Sequence, residues 1–295
     1  GADRRELLRM MLAGGVALET PFGTFRTPNI TADRTHGIGA WSDADFIRAM
    51  REGVAPDGSH YYPAFPYTSY THMTDADMLA IKRHIFAMAP DPTPSKPHDL
   101  AFPLSQRWLM WGWKLLNFEP GAYVADATRS ERWNRGAYLV TAVAHCGECH
   151  TPRGMLGELD MSRWLGGSVE GPEGAVVPNI TPDRETGIGT WSASDVAFLL
   201  DAGMLPDGDV VGGSMYPVIE DGTDSLTAAD RDAIAEYLLS LPAVATPDTP
   251  ACRSRAPPRR SPGSAGAFRT RRARRRPAAA TPGSTPRHCC RRARP

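Results

Sequence analysis

The chain has 295 residues, enough for two domains of ordinary size. Its zero formal net charge hides an asymmetry: of 33 Lys and Arg, 14 are arginines in 251–295, a stretch with no acidic residue, leaving 19 against 33 Asp and Glu in 1–250. No apolar run reaches the roughly 18–20 residues of a spanning helix, and with three of the five cysteines (Cys252, Cys289, Cys290) in the Arg-rich tail no paired disulfide framework is evident.

In chain order, residues 1–17 ("GADRRELLRMMLAGGVA") place basic residues before an apolar patch, as a signal peptide does. Arg9 interrupts the patch and no clean cleavage site follows, so the segment reads as an irregular remnant of a fragment or processed form. The strongest signal is a repeat. "PNITADRTHGIGAWS" at 28–42 returns as "PNITPDRETGIGTWS" at 178–192, and the match continues through Asp45/Asp195, Gly53/Gly203 and the PDG turns at 56–58 and 206–208. The period of 150 residues is domain-sized, which implies two related domains rather than a solenoid.

Each copy predicts the same elements. Ser42 or Ser192 caps a short helix, with Asp45 or Asp195 three residues on to complete an approximate capping box. A PDG turn and an irregular loop lead to a closing helix from Thr74 or Thr227. Met78, Ile81, Ile85 and Met88 recur at helical spacing in the first, Ile234, Tyr237, Leu238 and Leu241 in the second. Between the copies, 89–104 is Pro-rich and reads as a linker. "WLMWGWKLLNF" at 108–118 is an aromatic helix, expected to pack between the domains, with membrane-surface contact as the alternative. A further helix over 130–145 runs into "CGECH" at 146–150. No run of alternating strands is convincing. The expectation is an all-α chain: one domain over 18–90, a linker over 91–129, a second domain over 130–245 and a disordered Arg/Pro/Ala-rich tail over 246–295.

Cys-x-x-Cys-His is the attachment signature of c-type haem. Two thiols on one helical turn reach the two vinyl groups on one edge of the macrocycle, and the adjacent His meets the iron. Cys146 and Cys149 are therefore thioether donors and His150 the proximal ligand. A half zinc site or a redox thiol pair are the competing readings. Structural zinc wants four ligands, and a thioredoxin-like pair wants a βαβ context. Met215, in "GGSMYPV" between the second PDG turn and the closing helix, is the candidate sixth ligand; a His/Met pair raises the reduction potential and suits electron transfer. A loop Met packed on the core is the plain alternative.

"RGAYLVTAVAHCGECHTPR", "PNITPDRETGIGTWS" and "YPAFPYTSYT" together resemble the multihaem cytochrome c subunits of bacterial membrane-associated dehydrogenases of the alcohol, aldehyde, gluconate and molybdenum-hydroxylase type, over roughly residues 18–245. The resemblance implies class I cytochrome c-like domains and electron relay in the periplasm, at the outer face of the inner membrane. It implies a dehydrogenase catalytic subunit as donor and a quinone or terminal oxidase as acceptor. Membrane association would be peripheral or through the partner. It also implies that the Pro178 carbonyl accepts from Nδ1–H of His150, and that Asn179 and Trp191 pack around the haem and its propionates.

The family has three such domains, each with its own haem; this chain departs from that. The first copy has no CxxCH, its haem being expected lost with a truncated N-terminus or by mutation. Phe65 stands where many relatives carry Met, with His60 as a nearby substitute. No third domain follows, and the tail reads as an out-of-frame translation; a genuine basic tail that binds nucleic acid or anionic lipid is the alternative, but it would more often contain Lys and stacking aromatics, so no nucleic acid partner is expected. The expectation is one haem c and no substrate chemistry. The alternatives are a truncated, frameshifted, non-redox remnant acting at most as an interaction module, and a haem enzyme with an open sixth position.

Overall fold

The computed structural model describes residues 10–171 and 174–247. The readings made on residues 1–9 and on nearly all of the tail, with its three cysteines, lie outside the described residues.

The chain is helix-rich, but the all-α expectation lacked a small sheet. β1 (Ala17–Thr20) and β2 (Gly23–Arg26) form an antiparallel hairpin with Ala17 opposite Arg26, and β3 (Asp99–Leu100) pairs antiparallel on the other edge of β2. Strands this short leave no alternation to read, and β3 arrives from the Pro-rich segment, far along the chain. That segment is laid against the first copy rather than free of it. His98 Nδ1 accepts from the Arg26 amide, and Ser95 Oγ from the Asn29 amide.

The repeated helices form for the reasons their sequence suggests. α1 (Asp43–Glu52) follows the cap Ser42, α2 (Tyr67–Tyr70) is one turn, and α3 (Asp75–Phe86) follows the cap Thr74. In the second copy α7 (Ala193–Ala202) follows Ser192, α8 (Met215–Glu220) is short, and α9 (Ala228–Ser240) follows Thr227. Both Ser caps are reciprocal capping boxes with Asp45 and Asp195, and α1 and α7 both end on a left-handed glycine, Gly53 at φ 63° and Gly203 at φ 67°. Gly39 and Gly189 recur because a Cβ there would lie 2.0 and 2.2 Å from the carbonyl oxygens of Ala32 and Pro182.

Between the copies stand α4 (Leu109–Asn117) and α5 (Glu131–Tyr138). One side of α4 bridges them: Lys114 Nζ donates to the Glu52 and Gly53 carbonyls of the first copy, and Trp113 Nε1 donates to the Leu156 carbonyl of the second. The expected packing between copies covers only that side, since Trp108, Trp111, Leu115 and Leu116 are exposed. α5 packs on α9 at Gly136, where a Cβ would meet the Ala233 carbonyl oxygen at 2.0 Å. The second core gathers Leu139, Val140, Leu165, Ile188, Val196, Leu200 and Ile234. The first gathers Ile38, Phe46, Met50, Met73 and Met78, together with Tyr138 and Ala142 from the α5 region. The helix leading to CGECH thus contributes to both cores.

The expected helix over 130–145 is also broken. After Tyr138 the chain widens into a π-helical segment, Leu139–Val143, and His145 takes a left-handed φ of 39°. A π segment beside a functional turn is a recurrent device for re-aiming the chain, and no composition cue distinguishes it from an α-helix.

Candidate cofactor site

The CGECH turn is α6 (Gly147–His150). The His150 amide donates to the Cys146 carbonyl at 3.0 Å and the Cys149 amide to the same oxygen at 3.3 Å, so both thiols and the imidazole leave one turn of backbone. Gly147 is needed there because a Cβ would lie 2.2 Å from the Trp164 ring. Trp164, not singled out in the sequence, packs its ring against this turn.

Burial pushes the Cys146 thiol up to about 12 and the Cys149 thiol upward as well. These are neutral thiols, unlike the low-pKa thiolates of redox CxxC pairs. Among the described residues no group of three or more His, Cys, Asp or Glu side chains converges to hold a metal ion, so the donor set does not suit structural zinc.

His150 is buried, which pushes its imidazole pKa down and keeps the ring neutral; the hydrogen bond to Pro178 opposes that shift. Nδ1 lies 2.8 Å from the Pro178 carbonyl oxygen. A carbonyl only accepts, so Nδ1 carries the proton and Nε2 keeps its lone pair for a ligand bond. The His150 carbonyl in turn accepts from the Gly167 amide at 2.7 Å, which ties α6 to the strand-like segment before Pro178.

Pro178 is held by Asn179, which is fully buried. Its Oδ1 accepts from the Thr181 amide (2.8 Å) and hydroxyl (2.7 Å), and its Nδ2 donates to the Val244 carbonyl, the Thr246 hydroxyl and the Thr186 hydroxyl. Both side-chain polar atoms are engaged by the loop and the returning chain, so Asn179 braces the cradle. Trp191 is different. It is 7% exposed and packs in the second core, but its Nε1–H is buried without a partner. An orphaned buried donor is costly, and a cofactor carboxylate would satisfy it. Neutral thiols, a neutral imidazole with a free Nε2 and an unpaired indole N–H together fit a covalently attached haem.

Met215 opens α8 and is half-buried, at the end of a helix rather than within a loop. Its helix is anchored by Ile219, whose Cδ1 lies against Gly203.

The first copy repeats the brace. Asn29 Oδ1 accepts from the Thr31 amide and hydroxyl at 2.9 and 2.7 Å, and Nδ2 donates to the Asp91 and Thr93 carbonyls. Phe65 stands edge-on to Tyr61 and Tyr70 at 5.5 and 5.7 Å, in an aromatic cluster. His60 Nδ1 and the Tyr67 hydroxyl are buried without partners. The likeness also extends upstream of Pro28: the Ile30 amide donates to Leu12 as the Ile180 amide does to Leu165, and the Gly15 amide donates to Thr27 as the Ser168 amide does to Val177.

No family profile matches the chain. A diheme cytochrome c-type protein of Cereibacter sphaeroides is 46% identical over 237 residues, which are 80% of this chain and 78% of that protein. The fructose dehydrogenase cytochrome subunit of Gluconobacter japonicus is 41% identical over 236 residues, 79% of this chain and 48% of the subunit. The gluconate 2-dehydrogenase cytochrome c subunit of Pantoea cypripedii is 38% identical over 238 residues, 78% of this chain and 54% of the subunit. The chain spans about half the length of these two dehydrogenase subunits.

Proposed function

The chain belongs to the family of c-type cytochromes that includes these dehydrogenase cytochrome subunits, and on that premise we propose that it carries one haem c on Cys146, Cys149 and His150 and relays electrons from a partner dehydrogenase. The single observation that carries this reading is the Nδ1–H of His150 directed at the Pro178 carbonyl at 2.8 Å, because it leaves Nε2 as a ligand of fixed orientation. When bound, the haem supplies reversible one-electron exchange. The protein's residues do the rest. Cys146 and Cys149 anchor, His150 ligates, Pro178 holds the tautomer, Trp191 donates to a carboxylate, and Met215 is the sixth ligand.

One haem is assigned because CxxCH occurs once in the sequence, whereas the Cereibacter sphaeroides relative is described as diheme. The reading takes the two copies as class I cytochrome c-like units, of which the second holds the cofactor; the shared Asn brace of Asn29 and Asn179 supports it. The chain is the electron-transfer component and leaves substrate oxidation to a catalytic subunit, with quinone or a terminal oxidase as acceptor. The acidic body, 19 Lys and Arg against 33 Asp and Glu over 1–250, suits docking to a basic partner surface. The setting we propose is the periplasm, at the outer face of the inner membrane. Among the described residues no helix is long and apolar enough to cross a membrane, and association through the partner or at the surface is consistent with that.

The test is expression in a periplasm with haem-maturation machinery, followed by reduced and oxidised spectra. Covalent haem with a low-spin spectrum and the weak sulfur-to-iron band of His/Met ligation supports the reading. A high-spin spectrum points to an open sixth position and enzymatic use, and a chain without covalent haem contradicts electron transfer.

A further inference from the structure

One acidic side chain in the CGECH turn has no part in attachment or ligation, yet it is among the most heavily engaged in the protein. Glu148 lies between the two cysteines, and its side chain is only 9% exposed. Oε1 accepts from the Ser69 hydroxyl at 2.7 Å and the Thr68 hydroxyl at 3.0 Å, both on α2 of the first copy. Oε2 pairs with Arg153 Nη2 at 2.6 Å, and the same guanidinium also donates to the Glu148 and Gly157 carbonyls. Next to it, the ring of Tyr70, the last residue of α2, stands edge-on to His145 at 5.4 Å. One turn of the first copy thus grips the attachment turn of the second from both sides of Cys146.

We propose that Glu148, held by Thr68 and Ser69 and paired with Arg153, is a positioning residue through which the first copy fixes the attachment turn and sets the reduction potential of the group bound there. The inference rests on the haem reading above. A carboxylate shielded from water acts over a few ångströms through a medium of low effective dielectric. Its charge is felt inside the Cys-x-x-Cys turn, where, after burial, it helps push the Cys149 thiol pKa up. Negative charge favours the oxidised, more positive state and lowers the potential; Arg153 and the two hydroxyl dipoles offset it. The first copy, without CxxCH in this sequence, then supplies the donors that hold this charge in place.

The experiment uses the full chain with covalent haem and measures the midpoint potential by spectroelectrochemical titration at fixed pH. Glu148→Gln keeps the shape and one acceptor and is expected to shift the potential upward. Arg153→Gln leaves the carboxylate uncompensated and is expected to shift it downward. The double variant Thr68→Val/Ser69→Ala, on the first copy, is expected to shift it downward as well. A purely structural role would not give opposite signs for the two members of one ion pair. With haem attached, shifts of the same sign in Glu148→Gln and Arg153→Gln, no shift in either, or a potential that Thr68→Val/Ser69→Ala does not lower, overturn the proposal. If Glu148→Gln fails to retain haem, Arg153→Gln decides: its side chain is 38% exposed, and an unmoved potential there overturns the proposal. Haem content on a denaturing gel separates the two readings, since an unsubstituted chain without covalent haem refutes the haem assignment itself, and with it this inference.

Discussion

The two copies share a brace and differ in what the brace holds. Asn29 and Asn179 make the same bonds to Thr31 and Thr181, within about 0.1 Å of each other, and each ties its loop to the segment that follows the closing helix. Behind Pro178 stands a neutral His150; the sequence before Pro28 holds no Cys from residue 1 on, and a cluster of Phe65, Tyr61 and Tyr70 stands in the loop that corresponds to Met215. The cradle is therefore a self-sufficient piece of backbone chemistry, closed by an Asn, a Thr and a returning chain. On the proposed function, cofactor chemistry is added from outside it, by the turn at Cys146 and by Met215.

The largest effect separates the copies at once. Cys146→Ser/Cys149→Ser should abolish covalent haem completely, measured by haem staining of the denatured chain, because CxxCH occurs once in this sequence. Next, Gly147→Ala drives a Cβ to 2.2 Å from the Trp164 ring, and the neighbour is a rigid indole. We expect haem attachment to fall at least several-fold, with Gly147→Ala/Trp164→Leu recovering part of it.

The brace predicts equality rather than contrast. Asn29→Ala and Asn179→Ala each strand several buried groups, and each should cost about 3 kcal/mol in denaturant unfolding. Similar losses sharpen the comparison; a loss confined to Asn179 breaks it, since the bonds would then serve the cofactor rather than the loop. The smallest effect is on ligation. Met215→Leu should keep haem attached while removing the sulfur-to-iron band and lowering the potential. The matching Phe65→Leu should leave spectrum and potential unmoved and cost under about 1.5 kcal/mol of stability.

Much of this was legible because it is local. Ser-x-x-Asp before an apolar run specifies the capping boxes at Ser42 and Ser192, and Cys-x-x-Cys-His specifies a turn with two thiols and an imidazole on it. The repeat revealed the brace without its bonding, since the sequence does not show that the Asn179 side chain makes five hydrogen bonds to its own loop and the returning chain. What the sequence hid depends on distant chain. The sheet pairs β2 with a two-residue strand from the Pro-rich segment. The upstream part of the likeness escapes comparison at a fixed offset because Leu12 pairs with Ile30 while Leu165 pairs with Ile180, a spacing three residues shorter. Lys114 looks like the solvent-facing charge of an aromatic helix, yet it turns inward to two carbonyls, and burial brings its amine down to about 8. Glu148 carries no signal at all, because its partners Thr68 and Ser69 lie some eighty residues earlier.

The most direct test of the account is the haem-to-protein ratio of the full chain after periplasmic maturation, from the intact mass of the denatured protein. The account predicts one haem per chain, lost when Cys146 and Cys149 are replaced. A ratio of two, or a haem that survives that replacement, would contradict it.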